Sequence, residues 1–99
     1  MTEIAEQATV ITVLDNAIND LYELLKDKDS GVGVIRIDEY GDSVAEYYSS
    51  SESLKENVDM KRNLVIVHVE DNIPRRDIRR ACLFRLKIMV EQKRKENES

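Results

Sequence analysis

The chain reads as an α+β domain: an N-terminal helix, a small, largely antiparallel three-stranded sheet and a C-terminal helix, in the order α-β-β-β-α. Three observations predict this. Apolar residues recur at helical spacing through the first 25 residues and again from 78 to 89. Between them lie short alternating or β-branched runs at 32–40, 43–49 and 64–69, with turn chemistry at their junctions. Residues 1–99 make a single domain, and a core this thin makes self-association an expected source of stability.

The amphipathic helix is expected within residues 1–30. Ile4, Ile11, Ile18 and Leu25 recur every seven positions, with Leu14 and Leu21 three residues after two of them. Val10, Ala17 and Leu24 widen the stripe. Isoleucine at the first core position and leucine at the fourth suit a parallel two-stranded coil. Ile4, Ile11, Leu14, Ile18, Leu21 and Leu25 are therefore the candidate oligomer interface. The same stripe equally fits packing on the chain's own sheet. Thr9–Val13 is β-branched throughout, so the helix either includes it or begins near Asp15 after a short strand. Lys26 to Gly31 supplies the stop.

Val32–Tyr40 alternates as a strand, with Gly33, Ile35 and Ile37 on one face and Val32, Val34 and Arg36 on the other. Tyr40-Gly41-Asp42 marks a turn into a returning strand at Ser43–Ser49, completing a hairpin. Ser53-Leu54-Lys55-Glu56 has the form of a capping box and predicts one helical turn inside a serine-rich loop. The serines of that loop have acidic neighbours and are candidate phosphate acceptors, though a polar loop explains them as well. Leu64–Val69 is apolar on both faces, the pattern of a central strand covered on both sides.

The last helix is expected from an Asn72 cap, with Pro74 in the first turn and Asp77 near the positive end. Ile78, Ala81, Cys82, Leu86 and Met89 form its main apolar face to about Lys93, and 96–99 is a frayed tail. Leu83, Phe84, Ile88 and Val90 fall outside that stripe, more apolar surface than one sheet covers.

Charge is divided along the chain. Residues 1–60 carry four cations and fourteen acids, whereas 61–95 carry eleven cations and four acids, within a net charge of −5. Arg76, Arg80, Lys87 and Arg94 fall within about 40° on a helical projection, opposite Ile78 and Met89, and Arg75 and Arg79 flank their start. These six are the candidate partner-binding residues. Asp15, Asn19, Asp20, Glu23 and Asp27 give the first helix an acidic outer face. The acidic isoelectric point removes global attraction to nucleic acid, so any such contact must be local to the basic helix.

Chemistry-bearing patterns are sparse. One cysteine, Cys82, fits a reducing, cytoplasmic setting, and with one histidine, His68, it offers no zinc-ligand spacing. Asp38, Glu39 and Asp42 lack the spacing of a calcium loop and read as turn residues. No glycine-rich phosphate loop, membrane-length apolar run or catalytic set is visible, so no catalytic, cofactor or metal residues are expected. The element order is shared with double-stranded RNA-binding domains and small nucleoid-associated dimers, and order alone warrants neither. The expectation is a non-enzymatic interaction, adaptor or inhibitor protein. It acts as a homo-oligomer without a membrane and docks an acidic protein partner through its basic helix. The alternative is a nucleic-acid-binding dimer using the same ridge.

Overall fold

The middle strand of the sheet is β1 (Val32–Ile37), with β2 (Ser43–Tyr48) and β3 (Asn63–His68) antiparallel on either side of it. This computed structural model describes residues 2–98, and side chains from 11 to 95. Helix α1 (Thr2–Leu25) precedes the sheet, the short helix α2 (Ser51–Asn57) lies between β2 and β3, and α3 (Arg75–Glu98) follows. The α+β reading holds, with α2 added to the expected order.

Thr9–Val13 is helical, so α1 is continuous. Five β-branched residues cost a helix at most about 0.7 kcal/mol each. Burying Leu14, Ile18 and Leu21, which are 0%, 1% and 0% exposed, contributes about 1.5–3 kcal/mol per side chain. Tertiary burial wins. These three pack with Ile35, Val67, Ile78 and Cys82 in the main core, and half-buried Leu25 packs against it. They cover the chain's own sheet, and the coiled-coil seam expected of Leu14, Ile18, Leu21 and Leu25 gives way to that cover. Ile11 is 38% exposed, and the side chain of Ile4 lies outside the described residues.

Gly33 lies directly against α1. A Cβ there would lie 2.5 Å from Leu21 Cδ1 and just over 3 Å from both Leu25 methyls. The missing side chain admits the helix.

β3 is an edge strand, contrary to its two-sided apolar pattern. The register pairs Gly33 with Tyr47 on β2 and with Val67 on β3, and a bulge lies between Ile35 and Arg36 on the β3 side. The segment leaving β2 must cross beneath β1 to start β3 at the other edge. It carries α2 with it, and Leu54, 1% exposed, seals a second core against Val32 and Val34 with Tyr48, Val58 and Ile66 around it. This crossing covers the sheet's second face and explains why even an edge strand is apolar on both sides.

Three helix boundaries differ from expectation, and each strand ends earlier than expected, β1 by three residues. Ser50, not Ser53, caps α2: its Oγ accepts from Ser53 N at 3.1 Å, so the serine tract forms the helix start instead of a loop. Asn72 is not the cap of α3 but takes the left-handed conformation (φ 50°) after a single 3-10 turn at Val69–Asp71. The Pro74 carbonyl accepts from the Asp77 and Ile78 amides and opens α3 instead. The helical backbone of α3 continues past Lys93 to Glu98.

Candidate partner-binding face of the C-terminal helix

Helix α3 lies beside α1, and the contact between them sorts its cations. Arg79 Nε is 3.0 Å from Asp15 Oδ1. One turn earlier Arg75 Nη1 donates to Asn19 Oδ1, and its guanidinium lies 5.2 Å from the centre of the Tyr22 ring. Tyr22 Oη donates to the Ile73 carbonyl at 2.8 Å and so ties the approach to α3 onto α1. Burial pushes the Tyr22 phenol above its ordinary value, with Arg75 opposing and Asp77 reinforcing that shift. Arg75 and Arg79, expected to face a partner, are thus turned toward α1, whose Asp15, Asn19 and Tyr22 engage them.

Arg76, Arg80, Lys87 and Arg94 point the other way. All four are exposed, and none forms an ion pair with another described residue. They span 18 residues of helix, roughly 27 Å. Phe84, 66% exposed, and Val90, 56% exposed, border this ridge on its two sides. Ala81, expected on the core face, is also exposed. Arg85 was absent from the expected set: it is half-buried on the far flank, and its Nη2 donates to the Lys61 carbonyl at 3.4 Å. Its position near Ile78 on the helical projection is the signal that separates it from the ridge.

The acidic face of α1 is exposed at Asn19, Asp20 and Glu23 and continues past the helix end to Asp27, while Asp15 is half-buried against Arg79. The end of α1 and the turn after it are partly neutralised, since Lys26 lies 2.9 Å from Glu23 and Lys28 lies 3.5 Å from Asp27. The Glu23 hydrogen bond and charge raise the Lys26 pKa.

The remaining candidates have structural surroundings. Cys82 is fully buried and burial pushes its pKa up to about 12, which keeps the thiol protonated. His68 is exposed at the end of edge strand β3, where it borders a cavity of about 300 Å³ with Leu25, Lys28, Val67 and Ile78. Asp38 Oδ1 accepts from the Tyr40 and Asp42 amides, both at 2.9 Å, and so builds the β1–β2 turn. Among the described residues no group of three or more His, Cys, Asp or Glu is placed to hold a metal ion. No described helix is long and apolar enough to cross a membrane.

On the second face of the sheet Arg36 grips Glu46 with two hydrogen bonds, Nε to Oε1 at 2.5 Å and Nη2 to Oε2 at 3.2 Å. Tyr48 Oη donates to the same Oε1 at 3.1 Å. The Arg36 hydrogen bond holds the Glu46 carboxyl below its ordinary range against the opposing effect of burial. Compared with protein-family models, with curated proteins and with solved structures, the chain matches none.

Proposed function

We propose that the protein is a non-enzymatic binding protein that docks an acidic partner protein through the outward basic face of α3. One observation carries this reading. α1 engages Arg75 and Arg79, whereas Arg76, Arg80, Lys87 and Arg94 stand exposed with no described carboxylate in ion-pair range. Cations held along one rigid helix face attract a complementary acidic surface and steer its approach. Val90, exposed on one border of the ridge, adds apolar area to such a contact, which a protein partner can use and a phosphate backbone cannot. The second reading, a nucleic-acid-binding dimer, draws on the length of the ridge, which suits successive phosphates.

The test is fluorescence anisotropy of a labelled acidic helical peptide and of a labelled nucleic-acid duplex, each over a salt series. The peptide should bind, and Arg76→Ala with Arg80→Ala should weaken it by about tenfold or more. Nucleic-acid binding through phosphates would instead lower the log–log salt slope by about one per arginine removed. Unchanged affinity for both probes in the double variant rules out the ridge as the docking surface.

A further inference from the structure

Helix α3 carries a second stripe that its own sheet leaves uncovered. Asp77, Ala81, Phe84, Ile88, Glu91 and Lys95 recur at alternating spacings of four and three, the repeat of a helix-pairing seam. On a helical projection they share an arc of about 80°, away from the buried Ile78 and Cys82. Ala81 and Phe84 are exposed and Ile88 is half-buried, while Asp77, Glu91 and Lys95 are exposed at the ends. Phe84 is the only phenylalanine in the chain, and it is 66% exposed.

We propose that this stripe joins two copies of the chain, α3 against α3 in antiparallel orientation. The charges select both the occupant and its direction. Centred near Leu86, an antiparallel pair sets each Phe84 against Ile88 of the second copy. It also sets each Asp77 level with Lys95 of the second copy, and each Glu91 beside Arg80 of the second copy. Opposite charges then close the seam at both ends. A parallel pair would match the same apolar residues but bring Asp77 onto Asp77, Glu91 onto Glu91 and Lys95 onto Lys95, three like-charge contacts. The antiparallel pair also runs the two Arg80–Lys87–Arg94 ridges along one flank. Salt screens both this repulsion and the attractions at the ends of the seam, so the apolar contact of Phe84 with Ile88 holds the pair through a salt series. Docking of an acidic partner on the ridge weakens under the same change. The two readings therefore fail separately.

Sedimentation equilibrium of the full chain, at a concentration on the order of 0.1 mM as a small seam requires, tests the pairing. The expected result is twice the 11.4 kDa monomer mass, retained at higher salt. Phe84→Glu, a change at an exposed position, should leave the far-ultraviolet circular dichroism unaltered and raise the dissociation constant by about tenfold or more. Lys95→Asp should weaken association, and Asp77→Lys combined with Lys95→Asp should recover it. A monomeric wild-type chain, a Phe84→Glu variant that associates like wild type, or a charge exchange that recovers nothing overturns the proposal.

Discussion

Arg79 and Asp15, sixty-four positions apart, meet at 3.0 Å and hold the two long helices side by side over one face of the sheet. Both side chains are nearly half exposed, so the pair orients the helices more than it stabilises them. A double-mutant cycle with Arg79→Ala and Asp15→Ala, read by thermal unfolding, should return a coupling of about 0.2–1 kcal/mol that shrinks with added salt. A coupling that ignores salt would argue against an ionic brace.

Gly33 has no room for a side chain. Gly33→Ala places a methyl 2.5 Å from Leu21 Cδ1 on the overlying helix α1. The expected loss is about 1–3 kcal/mol in urea denaturation, with an unchanged slope. Stability equal to wild type would mean that the helix can lift without cost.

Leu54 seals the smaller core almost alone from its side of the sheet. Leu54→Ala leaves a cavity against Val32 and Val34 and should cost about 2–5 kcal/mol. Ser50→Ala removes the cap of the same helix and should cost only about 1 kcal/mol. The order of these two effects, measured in one denaturant series, checks whether α2 is held by packing or by its own hydrogen bonds.

The Arg36–Glu46 pair makes stability depend on acid. Because Glu46 has a lowered pKa in the fold, the folded state binds fewer protons than the unfolded one across the acidic range. Its contribution is complete above the unfolded carboxylate value and is lost as pH falls through the folded value. Glu46→Gln should therefore destabilise at neutral pH by about 1 kcal/mol and flatten the acid limb of the stability profile. An unchanged acid limb would show that the pair is not formed in solution.

Cys82 should resist alkylation in the native protein. Its pKa is raised to about 12 by burial, so both access and thiolate are withheld until the chain opens. Labelling should be slow at mild alkaline pH and rapid in denaturant. Fast native labelling would mean that α3 separates readily from the sheet.

Much of this was legible in the residues, because periodicity is written by near neighbours in the chain. Ile4 to Leu25 announced a helix while leaving Thr9–Val13 open, Val32 to Ser49 a hairpin, and the Arg76–Arg94 line a basic face. The helix runs through Thr9–Val13, the hairpin forms with shorter strands, and the four cations of that line are exposed. The capping of α2 was missed by three residues, since several serines in a row offer equivalent caps and only Leu54 docking against Val34 selects Ser50.

Linear order carried the helices, the hairpin and the segregation of charge, all set by residues within a turn or two of one another. Folding alone settled that β1 and not β3 lies in the middle, that Leu14 to Leu21 cover their own sheet, and that Arg75 and Arg79 turn inward while Arg76 and Arg80 do not. Those outcomes depend on which surfaces arrive beside each other after the chain has crossed beneath its own sheet. A one-dimensional pattern shows that a face will be covered without showing what covers it.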